Sequence, residues 1–296
     1  MTELRAGALS AVWRPDVGMV GASLRHEGEE LLGQRGGLDA YVAKGSAFGI
    51  PLLAPWANRL DGLEYPDPAR PGAPPVRLDP ARVKTDGNGL PKDGVLAARP
   101  WTVERETADE VVARFDADGE DVLHAFPFPH RLRVAVRLTP EGMTVTTELT
   151  ATGDVSVPRA FGWHPLFTLP GVPREALDVT LPVVRESVLD DRGIPTGAER
   201  PADWRDGPLG DRTLDAEYPA VAGDFVLRGG GRTLTVVFGA PDYPVGHAWA
   251  PAGEAFVAWE PMTASTNALV TGDGLGLVAP GTSRAATFVV RVAADG

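Results

Sequence analysis

A histidine and a glutamate, each lodged among bulky apolar residues and prolines, are the side chains of this sequence best suited to moving protons. His164 lies in Phe161-Gly162-Trp163-His164-Pro165-Leu166-Phe167, and Glu260 lies in Trp259-Glu260-Pro261-Met262-Thr263. An ionisable group in such a setting is held in one orientation, partly shielded from water and open to a shifted pKa. Imidazole titrates near neutrality, and a carboxylate that loses water becomes a better base at neutral pH. The two residue types would make a general acid and a general base. Taken singly, each more often has a structural role: a core histidine with its nitrogens hydrogen-bonded, or a glutamate tied to a neighbouring loop. Neither motif says that the two side chains meet.

A third segment, Pro55-Trp56-Ala57-Asn58-Arg59-Leu60, places an amide beside a guanidinium. Asn58 and Arg59 offer donors and acceptors suited to a polyhydroxylated ligand, and Trp56 offers a flat apolar face for a sugar ring. The alternative is a solvated loop arginine. Asp215, in Arg212-Thr213-Leu214-Asp215, and Asp93, in Leu90-Pro91-Lys92-Asp93-Gly94, are on their own acids near turns. The other histidines are His26, His124, His130 and His247. The chain has no Gly-x-Ser-x-Gly elbow, no phosphate-binding glycine loop ending in Gly-Lys-Ser/Thr and no His-Glu-x-x-His. No set of histidines and carboxylates has metal-ligand spacing.

These groups must be positioned by strands. Val134, Val136 and Leu138 alternate with polar or small residues, as do Met143, Val145, Thr147 and Leu149, and Thr139-Pro140-Glu141-Gly142 between them has the composition of a hairpin turn. Leu234, Val236 and Phe238 alternate after Gly229-Gly230-Gly231, while Phe256–Trp259 and Thr287–Val292 read as continuously buried strands, with Glu260 at the end of the first. No apolar stripe of helical period is long enough to predict a helix. The 35 glycines and 28 prolines, about a fifth of the 296 residues, read as turn punctuation between short strands. Pro66–Pro80 and Arg192–Gly210 look like excursions from the sheets rather than linkers, and no internal repeat is evident. The expectation is one domain over 1–296, a large antiparallel β-sandwich.

Composition narrows the partners. A formal charge of −12 argues against nucleic acid, which requires a basic face. The absence of cysteine excludes disulfides, thiolate nucleophiles and zinc–thiolate sites. Met1–Arg14 has no apolar stretch flanked by basic residues, and no run is long enough to span a membrane. A cytoplasmic protein without a membrane partner, monomeric or homodimeric, is expected.

In their order, the motifs resemble those of the aldose 1-epimerase (galactose mutarotase-like) family. The resemblance runs nearly end to end. It rests on Pro51–Leu60, Gly162–Phe167, Ile194-Pro195-Thr196-Gly197, Trp259–Thr263 and Asn267-Ala268-Leu269. It implies an all-β supersandwich with few or no helices, a cleft for a small-molecule sugar, and no metal or cofactor. It further implies that His164 protonates the ring oxygen of an aldose while Glu260 takes the proton of the anomeric hydroxyl. Arg59 and Asp215 would bind substrate, with Asn58 beside the arginine. Asp93 stands where the family usually has a histidine; an ionised aspartate accepts hydrogen bonds but donates none. Two other readings remain open: a sugar-binding or sensing module that has lost catalysis, and a mutarotase of hexose 6-phosphates in which Lys92 or Arg99 assists Arg59.

Overall fold

A computed structural model describes residues 1–294. The alternating segments are strands, as their period requires. His130–Thr139 and Gly142–Ala151 form an antiparallel pair with Thr139 opposite Gly142, so Pro140 and Glu141 make the turn. Phe225–Gly229 and Arg232–Val237 likewise close on Gly230-Gly231. Both pairs belong to a nine-stranded sheet. Within it, Ser283–Ala294 runs between Gly142–Ala151 and Arg232–Val237. This strand is longer than the predicted Thr287–Val292 and is not continuously buried. Ala286, Phe288, Val290 and Val292 point into the core while Thr287, Val289 and Arg291 do not, because one face of the sheet meets the core and the other meets water.

A six-stranded sheet packs against it, with Leu214–Tyr218, Val245–Ala250, Val257–Met262, Gly162–Trp163 and Leu52–Leu53 in that order and Leu166–Phe167 also on Val257–Met262. Thr2–Ala6, Leu9–Arg14, Val20–His26 and Glu29–Glu30 form a separate four-stranded sheet. Helix is confined, among the described residues, to Gly37–Lys44 (α1), two four-residue helices at Glu120–Leu123 and Ala268–Thr271, and one short 3-10 turn. The all-β expectation with few helices holds.

Aromatic rings join the layers. Trp259 of the six-stranded sheet stacks on Phe225 and Phe238, with ring centroids 5.9 and 5.3 Å away. Trp163 meets Phe288 of the nine-stranded sheet at 6.0 Å and Trp13 of the four-stranded sheet at 5.9 Å, and its indole N–H donates to Thr147 Oγ1 at 3.0 Å. Removing one such ring typically costs about 3–5 kcal/mol. Successive side chains of a strand alternate in direction. With Trp163 and Trp259 turned into the core, the next residues, His164 and Glu260, are sent to the opposite side.

Candidate active site

Strand pairing brings His164 and Glu260 together. Gly162 lies opposite Met262, and Leu166 lies opposite Ala258. His164, midway between the two short strands, therefore falls level with Glu260, and its backbone N–H donates to Pro51 O at 3.0 Å. Glu260 is interior to Val257–Met262 rather than at a strand end, since pairing with Val245–Ala250 continues past Pro261 to Met262. The imidazole Nε2 lies 3.2 Å from Glu260 Oε1, and both side chains are almost wholly buried. On the other side of Glu260, His247 is its direct cross-strand partner.

Burial governs the charge of the pair. Desolvation, helped by the nearby Lys92 ammonium, pushes His164 down to about 3. Desolvation pushes Glu260 up to about 8, against the pull of His247 and Lys92 and with a small push from the Asp93 carboxylate. Burial thus disfavours charge on both residues, on the imidazole and on the carboxyl alike.

The remaining predicted residues line the same cavity of about 350 Å³: Asn58, Arg59, Asp93 and Asp215. Arg59 donates from Nε to Asp86 Oδ2 at 2.8 Å and from Nη1 to Asn58 Oδ1 at 3.0 Å. With its oxygen so engaged, Asn58 turns its amide nitrogen to His247 Nδ1 at 3.3 Å, and His247 Nε2 donates to Asp215 Oδ1 at 2.9 Å. A chain of contacts from Asp86 to Asp215 thereby fixes each donor and acceptor. Burial alone would lower His247, but the hydrogen bond to Asp215 and the surrounding carboxylates raise it. Burial would raise Asp215, and the same contact outweighs that and keeps its pKa low.

Asp93 is held by Lys84, whose Nζ donates to Asp93 Oδ2 and to Gly45 O, both at 2.8 Å. Burial opposes ionisation of Asp93, yet Lys92 and Lys84 together hold it below the usual carboxylate range. Its second oxygen is buried without a hydrogen-bond partner. Gly94 makes the placement possible: at φ +67° a Cβ there would lie 2.0 Å from Ala54 O.

Two sequence expectations fail. Trp56 is 1% exposed and packed in the core, so it presents no face to a sugar; the indole lining the cavity is Trp249, edge-on to His164 at 5.5 Å. Arg99 points away from the cavity and pairs with Asp121. His247, Trp249, Lys84 and Asp86 were missed. His247 and Trp249 are two apart on one strand and so share a face, a signal present in the sequence. The pairing of Lys84 with Asp93 and of Asp86 with Arg59 left no local trace. The Pro66–Pro80 segment contributes nothing to the cavity wall.

Comparison with known proteins bears on the fold and the family. A galactose mutarotase-like protein from Clostridium acetobutylicum superposes with a TM-score of 0.85 at 16% identity, covering 99% of this chain and 94% of that one. The GalM/aldose epimerase homologue from C. elegans gives 0.81 at 16% identity, over 100% and 99% of the two chains. A galactose 1-epimerase from Lactobacillus acidophilus gives 0.77 at 11% identity, over 99% and 93%. At such identities these likenesses establish the fold. No curated protein matches the sequence. The family model for aldose 1-epimerase matches residues 3–221, and the chain belongs to the aldose 1-epimerase family.

Proposed function

We propose that this protein interconverts the α and β anomers of an aldose whose anomeric hydroxyl is free. The observation that carries the reading is the 3.2 Å contact between His164 and Glu260 at the cavity wall, across which a shared proton can pass. Ring opening removes a proton from the anomeric hydroxyl and delivers one to the ring oxygen. These oxygens are borne by one carbon, so acid and base must be neighbours. Passing the shared proton across the contact gives imidazolium and carboxylate. His164 then protonates the ring oxygen while Glu260 accepts the anomeric proton and the ring C–O bond breaks. Rotation of the aldehyde carbon and the reverse transfers close the ring on either face.

Asp93, with one oxygen free of partners, and Asp215, held ionised by His247, accept hydrogen bonds from sugar hydroxyls. Arg59, braced by Asp86, and Asn58 line the same wall. Trp249 supplies an apolar edge.

The test is the decay of optical rotation of freshly dissolved α-anomers at low buffer concentration. Acceleration is expected with the native protein. A loss of about 10²–10⁴-fold is expected in His164→Ala and in Glu260→Gln, with unchanged circular dichroism. Full activity in either variant would sink the proton-transfer roles. Sugar binding without acceleration would instead mark a binding module, the reading that Asp93 in place of a histidine favours.

A further inference from the structure

Two segments of the sequence, Ile194-Pro195-Thr196-Gly197 and Asn267-Ala268-Leu269, contribute nothing to the cavity wall. They serve the segment Asn58-Arg59-Leu60-Asp61 instead. Asn267 is buried and takes that backbone from two sides: its N–H donates to Arg59 O at 3.0 Å, and its Oδ1 accepts the Asp61 N–H at 2.8 Å. The preceding N–H, of Thr266, donates to the buried Glu217 Oε2 at 2.7 Å. The loop is thereby tied to the strand that pairs with His247.

The other segment belongs to a hairpin that pairs Arg185–Leu189 with Pro195–Pro201. Asp190 organises its tip, accepting the backbone N–H groups of Arg192 and Ile194 at 2.9 and 3.0 Å and the Arg192 guanidinium at 2.8 Å. Arg192 also reaches Asp61 at 2.6 Å. With the tip so held, Gly193 at φ +78° lies against the Arg59 guanidinium: a Cβ there would stand 3.1 Å from Nη1 and 3.4 Å from Cζ. Arg59 is tied at Nε by Asp86 and at Nη1 by Asn58. It can yield to a side chain at 193 only by straining those two bonds. Its Nη2 has no partner among the described residues and is the donor left for a ligand oxygen.

We propose that the hairpin tip and Asn267 together hold Arg59, and that Gly193 is a positioning residue that sets the affinity of the cavity for its sugar without touching it. The inference rests on the epimerase reading above and names what places its binding arginine. A guanidinium presents its donors in a rigid fork, so a side chain at 193 that moves it by a few tenths of an ångström misaims Nη2 as well. Hydrogen bonds weaken steeply as their angle worsens. Gly197, in the same hairpin, is also left-handed at φ +83° but has open space around it. One substitution made at both positions carries a similar backbone cost and differs in what it meets.

The experiment compares Gly193→Asn with Gly197→Asn, asparagine being a residue that tolerates left-handed backbone. Exchange between the α and β anomeric signals of glucose gives kcat and KM. The Nε–H resonance of Arg59, identified by its disappearance in Arg59→Gln, reports the guanidinium directly. Gly193→Asn is expected to shift that resonance and to raise KM about tenfold with kcat little changed, the pattern of lost uniform binding. Gly197→Asn should do neither. In an Arg59→Gln background, Gly193→Asn should add nothing further to KM, because its effect passes through the guanidinium. An unmoved Arg59 resonance, a KM equal to that of Gly197→Asn, or an undiminished effect in the Arg59→Gln background overturns the proposal. Absence of acceleration by the native protein overturns the epimerase reading instead, and the Arg59 resonance, with sugar affinity from calorimetry, then decides the role of Gly193 on its own.

Discussion

His164 and Glu260 are each displaced from their usual titration range in the direction that removes charge, and together they hold one proton over a wide span of pH. With His164 pushed down to about 3 and Glu260 up to about 8, a second proton is expected to join the pair only in strong acid and the carboxyl proton to leave as pH rises through about 8. The reaction needs one proton to give and one vacancy to fill, so kcat/KM should stay level through neutrality and fall as pH rises through about 8. Which residue holds the proton in the working complex does not alter this profile, because it belongs to the pair. A limb near 6.5, where ordinary imidazole titrates, would show that His164 works in water rather than in a dry contact. The pH dependence of anomeric exchange, measured with an uncharged sugar, decides between the two.

At the scale of elements, the site is a consequence of register. Glu217, His247 and Glu260 are successive cross-strand partners, and His164 lies level with them, so four ionisable groups form a row across one face of the six-stranded sheet. The segments that serve this row tolerate little displacement. Gly94→Ala places a methyl against Ala54 O and should cost about 3 kcal/mol or more while weakening substrate binding. Gly28→Ala, also at positive φ but with open space around it, should cost only about 1–2 kcal/mol for the left-handed backbone. Urea midpoints of the two variants, with KM for the first, check the difference. Much of this was legible beforehand. The Trp163-His164 and Trp259-Glu260 dipeptides display the in–out alternation that a sheet imposes, and the hairpin at Pro140-Glu141 follows from composition. What a linear reading lacks is tertiary pairing. Trp56 looked available to a sugar because Asn58 and Arg59 follow it closely, but it is the core that claims the ring. Lys84 becomes a site residue only because the fold lays it beside Asp93 and Gly45.

At the scale of the molecule, the two large sheets are joined by a small number of rings, with Trp259 stacked on Phe225 and Phe238 and Trp163 set against Phe288. The same dipeptides that carry the reactive groups therefore carry the joint between layers. Activity and tryptophan fluorescence should be lost together along a urea titration; activity lost well before the fluorescence change would show that the row comes apart while the layers stay closed.

The position of Ser283–Ala294 has a consequence for how the protein is made. The last strand of the nine-stranded sheet in chain order is an inner one, pairing with both Gly142–Ala151 and Arg232–Val237. A nascent chain on the ribosome cannot supply it until the other eight strands of the sheet have been made. Until then both partners have exposed edges, the kind of surface on which unfinished chains pair with one another. Completion of this sheet thus waits for its last-made strand, and the two edges must be kept apart from neighbouring chains for as long as the intervening segments take to be synthesised.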